Sequence, residues 1–315
     1  MNKPAAAINY EPSTMNSINY LNALFMLASA CLALFIPFEL VLLSYAILGP
    51  LHYLTEISWL KGRRFFTLKS YDIYFIVMVA IISWLLKLPY ANLIYYTFGL
   101  SFILLVISNN IYRLLAFVLL IAAGYFLLTN NLLRTIFGLY IPTLIHVYVF
   151  TGAFLLLGAL KLRNVSGYIA FFTFLLCPVL LCLLFTGFHT TPSQWAISNY
   201  VHFKSLNTTS LRRQNINIYT NSASIILTRL IAFAYTYHYI NWFSKTKIIN
   251  WHRIPLKWAA AILVIWVASV SLYFYDYHAG IKWLLLLSLV HVILEFPLNC
   301  RSFGGIGRFI SSMVH

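Results

Sequence analysis

The chain has 315 residues, 62% hydrophobic and 17% aromatic, with only 9% charged and a formal net charge of +15. A soluble domain uses roughly 25% charged residues, so this chain cannot cover itself with polar surface and reads as an all-α, polytopic integral membrane helix bundle. The positive charge does not imply a nucleic-acid partner: the basic residues fall mostly in short connectors between apolar runs, which is a topology signal.

A transmembrane helix needs about 20 mostly apolar residues. Ten are predicted in chain order: 18–36, 38–60, 71–87, 91–108, 111–128, 136–160, 167–187, 219–243, 256–275 and 281–297. Residues 1–17 form a polar N-terminus without the basic start and apolar core of a secretory signal. Residues 18–297 form a single transmembrane domain, and 298–315 a tail. Pro37 separates the first two spans by removing a backbone donor. Asn109-Asn110 and Thr129-Asn130-Asn131 supply turns, and Pro255 suits the first turn of the ninth helix. Lys61, Arg63, Arg64 and Lys69, then Lys161 and Arg163, then Lys245, Lys247 and Arg253, then Arg301 and Arg308 all fall on one side of a ten-span chain. The positive-inside rule makes that side cytoplasmic, with both termini there, in what reads as a bacterial inner membrane. The connector 188–218 should lie outside yet carries Lys204, Arg212 and Arg213.

Nine histidines are present, and His189, His202, His252, His278 and His315 fall in connectors or at the tail. His52, His146, His238 and His291 fall inside spans two, six, eight and ten, where ionisable groups are costly and mark functional sites. Those spans run in the same direction. At 1.5 Å per residue, His52, His238 and His291 should lie roughly 8–12 Å from the cytoplasmic helix ends and His146 nearer 20 Å. Glu56 and Glu295, two of only six acids, each follow an intramembrane histidine by four residues, in "HYLTE" and "HVILE". Residues four apart share a helix face, so each pair can point into one cavity. There a glutamate can serve as a metal ligand, as an acceptor for an imidazole on the metal, or as part of a proton path. Around the third histidine, "YTYHYINWFSKT" brings Tyr237 and Asn241 close to His238. Tyr53, Tyr237 and Asn241 are candidate substrate contacts, and Arg229 on the same span is a helix-paired cation or an anchor for an anionic group.

The segments "PLHYLTE", "LIHVYV", "YHYINWFSK" and "LVHVILEF", in this order, resemble the Brp/Blh family of membrane-embedded carotene dioxygenases. The resemblance covers about 40 residues and rests on order and local texture. The family's His-Gly-Ala-x-Asp type signature is replaced here by Tyr53 after His52 and by Glu56 as the acid. The resemblance implies a non-haem Fe(2+) centre held by His52, His146, His238 and His291, with Glu56 and Glu295 in catalytic support. It also implies dioxygen as co-substrate and a lipidic or carotenoid substrate taken from the bilayer. The competing reading is a proton- or ion-coupled transporter that uses the same residues as a relay. Neither a P-loop, a GxSxG elbow, a dinucleotide fingerprint nor an HxxHH desaturase motif occurs.

Overall fold

The computed structural model describes residues 12–63, 90–137, 144–184, 187–188, 190–200, 217–246, 250 and 252–314, with isolated positions 74, 78, 81, 82, 85 and 141. Every regular element among the described residues is helical. In chain order these are α1 (Pro12–Phe35), α2 (Pro37–Leu43), α3 (Gly49–Arg63), α4 (Tyr90–Val106), α5 (Asn110–Thr129) and α6 (Asn131–Thr135). They continue as α7 (Thr151–Leu162), α8 (Val165–Leu183), α9 (Gln194–Tyr200), α10 (Ser222–Ser244), α11 (Leu256–Tyr275) and α12 (Tyr277–Val314). π-helical turns interrupt this series at Ser44–Leu48, which joins α2 to α3, and at Leu144–Phe150, which leads into α7.

Among the described residues, seven helical runs are long and apolar enough to cross a membrane: Ser13–Phe35, Pro37–Leu60, Asn110–Thr129, Leu144–Leu162, Val165–Leu183, Leu256–Tyr275 and Tyr277–Ser312. Ala91–Val106 is apolar but shorter. The predicted span 71–87 and most of connector 188–218 lie outside the described residues. The segment read as a C-terminal tail continues the last helix, which runs unbroken for 38 residues to Val314.

Local signals set the ends. The Asn109 side chain caps α5 by accepting from the amides of Ile111 and Tyr112, and Asn164 and Asn221 cap α8 and α10 in the same way. α10 is not among the seven apolar runs, because it carries Thr228, Arg229, Thr236 and His238, all buried. It is the axial helix of the bundle. It packs on α1, α2, α3, α8 and both π-helical turns, so its polar groups meet partners from other helices instead of lipid. Ser44 Oγ lies 2.6 Å from Thr236 Oγ1, and Tyr237 donates to Asn22. The outer helices α5 and α11 instead expose Leu114, Leu119, Phe126, Leu263 and Val264. Such an apolar exterior suits lipid, which gives no penalty for exposed hydrocarbon.

Candidate metal centre

The π-helical turn Ser44–Leu48 feeds directly into the "GPLHYLTE" turn of α3. π turns add a residue to the helical register and are frequent at functional sites. α3 delivers His52 and Glu56, each only 2% exposed. The second π turn contains His146 itself, α10 carries His238 and α12 carries His291 and Glu295. α12 packs against α3, α7 and the second π turn, and α10 packs against α3 and the same turn. All six side chains are therefore delivered to one interhelical space.

The four imidazoles form a closed ring. Centroid separations are 4.9 Å for His52–His238, 5.1 Å for His238–His146, 5.1 Å for His146–His291 and 5.3 Å for His291–His52. A metal–nitrogen bond of about 2.1 Å, with the ring centre about 1.15 Å behind the nitrogen, puts centroids about 4.6 Å apart at right angles and about 5.3 Å apart tetrahedrally. The observed separations fall in that interval. Candidate ligand atoms of His52, His238 and His291 lie within 4.8 Å of one another, as do those of His146, His291 and Glu295. The depth expected for His146 needs correction: its ring meets the others at the same level. The π turn at Leu144–Phe150 fits more residues into a given rise than the α spacing assumed from sequence.

Hydrogen bonds define which nitrogens are available. His291 Nδ1 is 2.8 Å from the Ser288 carbonyl. A carbonyl only accepts, so Nδ1 carries the proton and Nε2 keeps its lone pair. His238 Nδ1 is 3.1 Å from Thr151 Oγ1; with the hydroxyl as acceptor, Nε2 keeps its lone pair. Buried atoms without a hydrogen-bond partner include the Nε2 of His238 and of His291, both ring nitrogens of His52 and of His146, and one oxygen each of Glu56 and Glu295. Buried polar atoms are rarely left so, and a group of orphans converging on one point calls for a missing ligand. His52 Nε2 lies 3.1 Å from Glu56 Oε2 and His146 Nδ1 lies 3.4 Å from Glu295 Oε2. Neither contact has the alignment of a hydrogen bond; the atoms converge side by side, as ligands around a common centre do.

The acids are shared out differently from the sequence expectation. Glu56 sits with His52 as the four-residue spacing requires, but Glu295 crosses to His146 on another element. The Ser288 carbonyl turns the His291 ring back along its own helix. "LIHVYV", which has no acid of its own, thus receives one from α12.

Tyr53 stacks on His291 at 4.1 Å, and its hydroxyl lies 2.6 Å from that of Tyr239. Tyr237 faces away from the histidines: its ring packs on Phe174 and Phe233, and its hydroxyl donates to Asn22 and Asn241. Arg229 donates to the Phe188 carbonyl and lies over that ring, so it fastens the chain at Phe188. Thr151 and Ser288 touch the site without having been singled out by the sequence; a lone hydroxyl or carbonyl in an apolar helix carries no distinguishing pattern.

Two cavities flank the ring. One of about 290 Å³ is lined by His52, Glu56, His238 and Glu295 and also by Asn19, Asn241 and Lys245. The other, about 100 Å³, is lined by Tyr45, Tyr53, Ile94, Phe98, His146, His238 and leucines of α12. No family model, curated protein or solved structure matches the chain.

Proposed function

We propose that this chain is a membrane-embedded non-haem iron oxygenase acting on a lipidic or isoprenoid substrate, with His52, His146, His238 and His291 as metal ligands. The observation that carries this reading is the convergence of orphaned imidazole nitrogens and two carboxylates, all buried, between four helical segments. Imidazole and carboxylate suit iron, manganese or zinc, and none of the four cysteines joins the group. Charge supports a dication: four neutral imidazoles add nothing, and two ionised glutamates offset a charge of two. The centre is then electroneutral where an uncompensated charge would cost most. When bound, iron supplies the redox chemistry needed to use dioxygen. The protein's own residues orient the ligands through Thr151 and Ser288, exclude water by burial, and present an apolar cavity beside the ring. The resemblance of the four histidine segments to membrane carotene dioxygenases points the same way, as does the bundle's apolar exterior for a substrate that arrives from lipid. In this reading the Lys- and Arg-rich ends face the cytoplasm.

The two π turns at the site give the transporter reading its one specific support, since interrupted helices also build ion sites. One experiment separates the two. Detergent-purified protein loaded anaerobically with Fe(II), Mn(II) or Zn(II) and desalted should retain about one metal per chain. His291→Ala, checked for monodispersity, should retain none. Wild-type protein that holds no metal would overturn the proposal and leave proton-coupled flux in vesicles as the measurement to make.

A further inference from the structure

The larger cavity has a mixed lining. Beside His52, His238, Glu56 and Glu295 it is walled by Ile18, Phe154, Leu155, Leu162 and Leu298. It also carries Asn241 and Lys245, four residues apart at the C-terminal end of α10. The Asn241 oxygen already accepts from Tyr237 at 3.3 Å, so the amide NH₂ is what remains for the cavity. Lys245 caps the C-terminus of α10, and among the described residues no carboxylate lies within 4.0 Å of it. Two donors, one a cation, therefore share this cavity with the histidine ring. His238 and Lys245 are seven residues apart, about 10 Å along a helix axis. His238 also lines the smaller apolar cavity, so the two spaces meet at the histidine ring.

We infer that the substrate is an amphiphile with an anionic oxygen head, a lipid carboxylate or phosphate, held by Lys245 and Asn241 while its apolar chain runs past the histidines toward the smaller cavity. This rests on the reading that the histidines are the reaction centre. It narrows the substrate class: a symmetric hydrocarbon would leave Lys245 and Asn241 without an acceptor, whereas a headed lipid enters in one direction and presents one stretch of its chain to the ring. Gly158 helps to keep the space open, because a Cβ built there meets no atom within 4 Å.

The test measures binding by full-length protein in nanodiscs, with metal content determined on the same samples. The probes are a fluorescent long-chain polyene acid, its methyl ester and the corresponding alkyl phosphate. The acid should bind about tenfold or more tightly than the ester, since charge-assisted hydrogen bonds are the strong ones. Lys245→Met should bring the acid down to the affinity of the ester without changing metal content, and Lys245→Arg should keep the preference. Gly158→Leu, which fills the cavity without touching Lys245, should weaken acid and ester alike. The order of acid and phosphate identifies the head. Equal affinity of acid and ester for wild-type protein, or a preference that survives Lys245→Met, would overturn the inference. Bound metal without head preference sinks the head site alone; head preference without metal sinks the oxygenase reading and leaves a lipid-binding site.

Discussion

A histidine can ligate through either ring nitrogen, and the partner of the other nitrogen decides which. Thr151 performs this service for His238 and the Ser288 carbonyl for His291. Thr151→Val keeps the shape and removes the oxygen, so it should lower metal affinity about 10–100-fold, as changes behind a ligand typically do; Thr151→Ser should restore it. Metal titration of the two purified variants checks this, and equal affinity would reduce Thr151 to a packing residue. Lys245 lies beyond the last turn of its helix, and burial pushes it down to about 8. It is charged below that value and neutral above it, so the preference for acid over ester should be present at neutral pH and fade as pH rises through about 8, with a bound anion moving the midpoint upward. The other titratable groups lining that cavity are His52, Glu56, His238 and Glu295. Lys245→Arg should extend the preference to about pH 9 and beyond, because guanidinium stays charged; binding isotherms across pH read this directly. At this scale the sequence was legible where periodicity reports it. Glu56 beside His52 follows from a spacing of four. Glu295 beside His146 does not, because that contact crosses between helices and depends on how Ser288 turns His291.

Two π turns set the register of the site's first two histidines. Deleting Val149, between His146 and Thr151, should restore α-helical spacing and rotate Thr151 relative to His146. The expected result is a folded, monodisperse protein with little or no bound metal; unchanged metal content would show that the π turn is incidental. The apolar elements were largely readable: runs predicted at 18–36, 111–128, 167–187 and 256–275 correspond to long apolar helices among the described residues. The π turns were not readable, since a register shift of one residue leaves the apolar run unchanged. Nor was the length of α12. Glycines 304, 305 and 307 look like a loop by propensity, but helical stability comes mainly from packing of the rest of the helix. Gly305 shows the contact: a Cβ there would come within 3.0 Å of Leu157 on α7, so the glycine permits a close approach between helices.

Across the whole molecule, His52, His146, His238 and His291 belong to segments far apart in sequence, and the candidate metal centre is where those segments meet. Without a cation, the buried carboxylates of Glu56 and Glu295 must be protonated or paired with imidazolium, because isolated charges are costly in a low-dielectric interior. With a dication, both can ionise and the orphaned nitrogens gain a partner. Metal binding should therefore release protons, weaken as pH falls, and tie the segments together. A ligand that binds only the folded state stabilises it by about 2.7 kcal/mol at a hundredfold excess over its dissociation constant. Thermal unfolding followed by tryptophan fluorescence should accordingly shift to higher temperature with added Fe(II) or Zn(II) and return on chelation. The double variant Glu56→Gln/Glu295→Gln separates charge from coordination: it keeps the imidazoles but leaves a dication uncompensated, so its metal-dependent shift should be much smaller than that of wild type while its metal-free unfolding changes little. An equal shift in the double variant would show that the imidazoles alone hold the ion and that the glutamates serve another purpose, such as moving protons.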